Sequence, residues 1–297
     1  MNVLKEWFID LPWGKVALIS WGNPSGKPVL LVHGRQDSAA TFIPLLKHLP
    51  KSYHYVAFDM PMHGRSDSLP FGVVLTRLFP VCVIEVVVKH LGWKEFYYIG
   101  HSLGTEQGLF YNAVFPGQIK KFVLLDPTPA LQRLIMEDFS EFYEFYDKYY
   151  SNYNSMKEDK LYSKESAIEA VMKAREMTRE QAELILSRNL IKVRDNLYKL
   201  SWDRRIKLMA PTYFPKEYYK TIFCKNSPPI LYITSKEYLK IGVKRRIVIE
   251  EYLSECQKND KLIHLRVDGN HDVHFIHPER LSEQIISFLN MDVKSKL

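Results

Sequence analysis

Cysteine is scarce in this chain of 297 residues: there are three, at positions 82, 224 and 256, far apart and odd in number. That pattern excludes a paired-cysteine zinc site and a disulfide framework, and it points to a reducing compartment. Long apolar runs are lacking as well, so no membrane span is expected. The opening residues, Met1-Asn2-Val3-Leu4-Lys5-Glu6-Trp7, have no apolar stretch of the kind that makes a secretory signal. Compact Lys/Arg blocks are missing too. The formal charge is +7, but the basic residues are interspersed with acidic ones. This describes a solvated surface rather than a nucleic-acid groove. His271, Asp272, His274 and His277 lie close together but match no common zinc spacing. Neither a metal nor a cofactor is expected.

What is present begins with Gly100-His101-Ser102-Leu103-Gly104. An apolar strand, residues 96–99, runs directly into this Gly-x-Ser-x-Gly, and a helix-compatible stretch follows. That context is what a nucleophile elbow needs: a sharp strand-to-helix turn that holds a serine hydroxyl clear of the backbone. The flanking glycines suit a turn too tight for side chains. Further buried strands are expected at 16–21, 29–34, 55–59, 122–126, 230–234 and 262–267, with helices at 81–90 and 278–290 between and after them. Strand–helix alternation of this kind implies a mostly parallel sheet with helices on both faces, an α/β fold.

A serine hydroxyl is a weak nucleophile near neutral pH and needs a base, and the base needs an orienter. In this architecture the order along the chain is Ser, acid, His. His271, first after the Gly269-Asn270 turn that follows the last strand, is the expected base, ahead of His274 and His277. Two residues compete as the acid. Asp126 ends the strand after the elbow helix, whereas Glu237 follows the 230–234 strand, about one residue short of the usual acid position. Asp126 is preferred. Two backbone N–H groups should meet the developing oxyanion. They are expected from Leu103, after the nucleophile, and from Arg35, after His33-Gly34.

The pattern changes between residues 128 and 227, where no buried parallel strand is evident. This stretch reads as a helical cap inserted into a core formed by 1–127 and 228–297. Thr178 and Gln181 have the spacing of a capping box. Phe139, Phe142, Tyr143, Phe145, Tyr146, Tyr149, Tyr150 and Tyr153 crowd one part of it, which implies an apolar cavity beneath.

The His33-Gly34 turn, the 59–67 loop, the Gly100–Gly104 elbow and Gly269-Asn270-His271 together resemble the α/β-hydrolase superfamily. Within it, the chain is similar to the serine hydrolase-like proteins of animals, on Pro12-Trp13-Gly14, Ala17 to Gly22, the stretch 189–203 and Val273-His274. The resemblance implies the α/β-hydrolase fold, built on an eight-stranded, mostly parallel sheet, with a Ser-His-acid triad and a helical cap. One departure stands out: Thr105-Glu106 replaces the small residues usual after the elbow, which brings a carboxylate towards Ser102.

The expected activity is hydrolysis of a carboxylic ester or thioester through an acyl-enzyme on Ser102, with a lipophilic acyl or aryl substrate suited to the aromatic cap. A ligand-binding protein that kept the fold and lost turnover is the alternative. Epoxide or carbon–halogen hydrolysis is disfavoured, because it would need a carboxylate at the elbow. The chain closes on Ser295-Lys296-Leu297, a tripeptide read by the peroxisomal import receptor. Peroxisomal matrix is therefore the expected location, with the cytoplasm as the fallback, and in the peroxisome acyl-CoA thioesters would suit the basic surface.

Overall fold

The computed structural model describes residues 1–131, 134, 138–212, 214–236, 251–252, 254–258 and 262–292. Glu237 and the tripeptide Ser295-Lys296-Leu297 lie outside the described residues.

Eight strands form one sheet: β1 (Val3–Leu11), β2 (Gly14–Gly22), β3 (Pro28–Val32), β4 (His54–Phe58), β5 (Phe96–His101), β6 (Ile119–Leu125), β10 (Ile230–Ser235) and β11 (Leu262–Val267). Their order is β1-β2-β4-β3-β5-β6-β10-β11. The β1–β2 and β2–β4 pairs at one edge are antiparallel, and the pairs β4–β3, β3–β5, β5–β6, β6–β10 and β10–β11 are parallel. The β3, β4, β5 and β6 residues are almost wholly buried, because helices cover both faces. One apolar layer packs Leu30, Val32, Val56, Phe58, Tyr98 and Phe122 against α2 (Phe79–Leu91) and α3 (Leu103–Val114). The other packs Leu31, Ala57, Ile99, Val123 and Ile233 against α1 (Ile43–His48) and the closing helix Glu279–Asn290. Helix α2 starts two residues before its expected start, at Phe79, because Pro80 suits a first helical turn. Gly92 closes it in the left-handed conformation.

β1 is not legible from composition. Its residues are mostly exposed, so no apolar run announces it. Between β6 and β10 the chain leaves the sheet and builds α4 (Thr128–Leu131), α5 (Ser140–Ser151), α6 (Lys164–Arg175), α7 (Arg179–Asn189) and α8 (Lys216–Cys224). This segment is not purely helical. β7 (Leu161–Tyr162), β8 (Leu190–Arg194) and β9 (Leu197–Leu200) make a small antiparallel sheet in the order β7-β9-β8. Thr178 and Gln181 complete their capping box at the start of α7. Among the described residues no helix is long and apolar enough to cross a membrane, and all three cysteines are free thiols.

Candidate active site

Ser102 stands between β5 and α3 with φ 49° and ψ −114°, a region that side-chain-bearing residues rarely occupy. Such a conformation costs about 1–3 kcal/mol and persists only where its surroundings enforce it. Three bonds do so here: Ser102 N–H donates to the Leu125 carbonyl at 3.0 Å; the Ser102 carbonyl accepts from Thr105 N–H at 3.0 Å; and it also accepts from the Thr105 hydroxyl at 2.5 Å. Thr105, one of the two unusual residues after the elbow, thus tightens the turn. Gly104 has no alternative, because a Cβ there would strike the Val32 carbonyl oxygen. At Gly34 a Cβ would sit 2.8 Å from His101 Nδ1 and 3.2 Å from Ser102 Cβ, so the His33-Gly34 turn lies directly against Ser102.

His271 Nδ1 lies 2.5 Å from Asp126 Oδ2. The two residues are 145 apart in the chain, and the parallel sheet brings them together, since β6 and β11 flank β10. Asp126 has φ 43° and is fixed on every side. Its N–H donates to the Ile233 carbonyl at 2.8 Å. Its Oδ1 accepts from Ser235 N–H at 2.9 Å, and its Oδ2 from the Ser235 hydroxyl at 3.1 Å. The Asp126 side chain keeps 3% of its surface exposed, whereas His271 keeps 30%, so the acid is sealed and the imidazole reaches open space. Desolvation pushes the His271 pKa down, but the hydrogen bond and charge of Asp126 outweigh it, with Asp272 adding and Arg175 opposing; the pKa ends above its ordinary 6.5. His274 is fully buried with Nε2 2.8 Å from the Thr41 hydroxyl, and His277 pairs with surface Glu279 at 3.3 Å. Neither meets Asp126.

A cavity of about 640 Å3 holds Ser102, His271, Leu103, Arg35 and Gln36 in one lining. Leu103 opens α3, where the first-turn N–H groups make up the positive end of the helix dipole. Gln36 has φ 60°, so the loop after Gly34 is bent as sharply as the elbow.

The rest of the described lining is mixed: Pro129, Ala130, Leu208, Met209 and Pro211 are apolar, but charged side chains stand among them. Among the described residues, Phe145 is the member of the aromatic crowd that lines the cavity, beside Arg77, Glu106, Glu141, Glu144, Lys148 and Lys207. The physical reason lies in α5. It turns Phe145 and Tyr149 inward, while Tyr143 and Tyr150 stay 73% and 62% exposed. Glu106 does come near Ser102 but not as an uncompensated charge, because Arg77 Nη1 donates to its two oxygens at 2.9 and 2.7 Å. Both side chains are buried.

Two arginines of the segment between β6 and β10 were not anticipated. Arg175 bonds Asp272 through Nε and Nη2 at 2.9 and 2.7 Å, and Asp37 through Nη2 at 2.7 Å. Asp37, Asp272 and His101 converge closely enough to suggest a cation site, but the guanidinium of Arg175 already supplies the positive charge there. Arg188 bonds buried Asp59 at 2.9 Å and Glu6 at 3.0 Å. No local sequence signal marks pairs of such separation.

An eight-stranded sheet of this order, with a serine at the strand–helix turn, defines the α/β-hydrolase class. The chain belongs to the alpha/beta hydrolase fold family, whose model matches residues 27–236. It is similar to the serine hydrolase-like protein of Danio rerio, 28% identical over 96% of this chain and 88% of that one. It is also similar to serine hydrolase-like protein 2 of Homo sapiens, 27% identical over 97% and 95%. A solved thioesterase domain from the curacin biosynthetic pathway shares the fold, with a TM-score of 0.78 at 18% identity, covering 95% of this chain and 98% of that one.

Proposed function

We propose that this chain is a serine hydrolase that cleaves a carboxylic ester or thioester through an acyl-enzyme on Ser102. The observation that carries the reading is the 2.5 Å contact of His271 Nδ1 with buried Asp126, in a cavity that Ser102 also lines. With Nδ1–H donated to Asp126, Nε2 is left as the base. It takes the Ser102 proton as Oγ attacks the carbonyl carbon. The carbonyl oxygen becomes an oxyanion and accepts from the N–H groups of Leu103 and Arg35. The imidazolium then gives its proton to the departing alcohol or thiol. A water, deprotonated by Nε2, releases the acid and restores Ser102. Asp126 takes the role of acid in this scheme without help from Glu237.

The lining narrows the substrate. Leu103, Ala130, Phe145, Leu208 and Met209 offer an apolar strip for a modest acyl chain, while Arg35 and Lys207 suit an anionic portion such as the phosphates of CoA, Lys148 being paired with Glu144 at 3.2 Å. A bulky, wholly lipophilic ester fits this surface less well. The segment 128–227 acts as the cap that supplies more than half of the described lining. Ser295-Lys296-Leu297 supports delivery to the peroxisome, tested by imaging a fluorescent fusion with and without the tripeptide.

The deciding experiment is a panel of p-nitrophenyl esters and acyl-CoAs assayed beside Ser102→Ala. The expected result is turnover by the wild type, highest for short and medium acyl-CoAs, and none above background for the variant. Activity that survives Ser102→Ala overturns the mechanism, and ligand binding without turnover favours a binding protein on the same fold.

A further inference from the structure

Two loops carry the groups assigned above, and neither is rigid by its own secondary structure. The loop after β3 holds Arg35 and ends at Asp37; the turn after β11 holds Asn270, His271 and Asp272. One residue of the intervening segment touches both. Arg175, the last residue of α6, forks onto Asp272 and reaches Asp37 with the same Nη2, all at 2.7–2.9 Å. Its carbonyl oxygen also accepts from Asn270 Nδ2 at 3.1 Å. Residue 175 is therefore bonded to the neighbours of His271 on both sides. Asp37 is tied down at its other carboxylate oxygen, and Asp272 at its backbone N–H. Asp37 Oδ1 accepts from Ser38 N–H at 2.9 Å, and Asp272 N–H donates to Asn270 Oδ1 at 3.0 Å. Glu176, in the left-handed conformation with φ 53°, ends α6 directly after Arg175 and lets the chain turn away.

We propose that Arg175 is a positioning residue of the hydrolytic site: its guanidinium sets the spacing between the oxyanion loop, through Asp37, and the histidine turn, through Asp272. The inference rests on the triad reading given above. The geometry favours this role over simple packing. The Asp37 side chain is fully buried and that of Asp272 keeps 10% exposure. Two such carboxylates, brought close with His101, would repel each other without a cation between them. A planar fork holds carboxylates at fixed angles, which a lysine ammonium cannot do. Misplacing a catalytic group by about 1 Å costs on the order of 100-fold in rate.

The charged and titratable groups facing His271 are Asp126 from the end of β6, Asp272 and His274 from its own turn and the short helix after it, His101 from the elbow, with ring centroids 4.6 Å apart, and Arg175 from α6. Among them, Asp272 raises the His271 pKa and Arg175 lowers it. Removing each therefore moves the acid limb of the rate in opposite directions.

The test measures the second-order rate of Ser102 labelling by a fluorophosphonate against pH, for wild type, Arg175→Ala, Arg175→Lys and Asp272→Asn, with far-UV circular dichroism confirming the fold. The expected result is a plateau rate lowered about 10-fold or more in all three variants. The acid limb moves to higher pH in Arg175→Ala and to lower pH in Asp272→Asn. It stays near the wild-type position in Arg175→Lys, which keeps the charge and loses the fork. Should Arg175→Ala not fold, the other two variants still decide the matter. Folded Arg175→Lys and Asp272→Asn that label at the wild-type rate, with the limbs unmoved, overturn the proposal while leaving the triad reading intact. A wild type that does not label at all overturns the triad reading, and the positioning role falls with it.

Discussion

The two halves of the segment between β6 and β10 are attached to the core by different means. The α6–α7 half is held by buried charge and hydrogen bonds: Arg175 on Asp37 and Asp272, Arg188 on Asp59, and Gln181 Nε2 on the Ile276 carbonyl at 3.2 Å. It also has its own apolar seam, in which Ile168, Val171, Ile185 and Leu186 cluster with Phe275. The α5 half rests on a small cluster of Phe145, Tyr149, Met156 and Ala210, and on the Tyr149 hydroxyl, 3.4 Å from the Val73 carbonyl. Its outer face leaves Phe139 and Tyr143 67% and 73% exposed. Buried ion pairs fix the half that lies over the loops around His271, whereas the half that borders the cavity rests on aromatic packing and on bonds to neutral carbonyls, Arg205 donating to Leu69 and Pro70 at 2.7 and 2.9 Å and Ala210 N–H to Leu75 at 2.7 Å. The proposed geometry of catalysis and the proposed choice of substrate are thus carried by separable groups of residues.

The comparison is broken most forcefully at Arg188. Arg188→Ala leaves the fully buried Asp59 without its cation and should cost about 3–5 kcal/mol of stability, read from urea unfolding. A loss below 1 kcal/mol would mean that the charged anchors are dispensable. Phe145→Ala acts on the other half. It should cost about 2–3 kcal/mol, less than a deep-core phenylalanine because the cluster is small. Its functional mark should be a raised KM for acyl substrates with little change in the labelling rate of Ser102.

Acidification sharpens the same contrast, because the anchored side holds buried imidazoles. Burial, with the neighbouring His271 second, lowers the His101 pKa to about 4. Burial likewise holds His274 well below its ordinary value. A folded-state pKa below the unfolded one gives stability that is complete above the unfolded pKa, near 6.5, and declines as pH falls towards the folded value. His271, with a raised pKa, works in the opposite sense: its contribution is present in acid and fades as pH rises through that value. The depressed groups are more numerous here, so unfolding midpoints should drop between about pH 6.5 and 4. His101→Asn should flatten part of that drop. The smallest effect is expected at Tyr143→Ala, which should stay within about 0.5 kcal/mol of wild type.

The sheet was readable because a parallel strand covered on both faces must be a continuous apolar run. Residues 29–32, 96–99 and 122–125 are such runs, each bounded by turn residues. The edge strand β1 escaped for the complementary reason: Lys5, Glu6 and Asp10 sit among exposed apolar side chains, and no period emerges. The short strands β7 to β9 are likewise half-exposed and charged. Around the candidate site, Gly-x-Ser-x-Gly and Gly-Asn-His are local patterns tied to local backbone geometry. Arg175 and Arg188 carry no such mark. The partners of Arg175 lie 97 and 138 positions away and those of Arg188 129 and 182, and each arginine alone reads as an ordinary surface residue of an amphipathic helix. The aromatic crowd could not be resolved residue by residue, because composition shows how many rings there are but not which way α5 turns them.

At the centre of the account is a hydroxyl made nucleophilic by the imidazole of residue 271. Intact mass and peptide mapping after fluorophosphonate treatment test it directly. The account predicts one adduct per chain, on Ser102, absent in Ser102→Ala and formed at least about 100-fold more slowly in His271→Ala. No adduct on the folded wild type, or one that persists at an equal rate without His271, would contradict it.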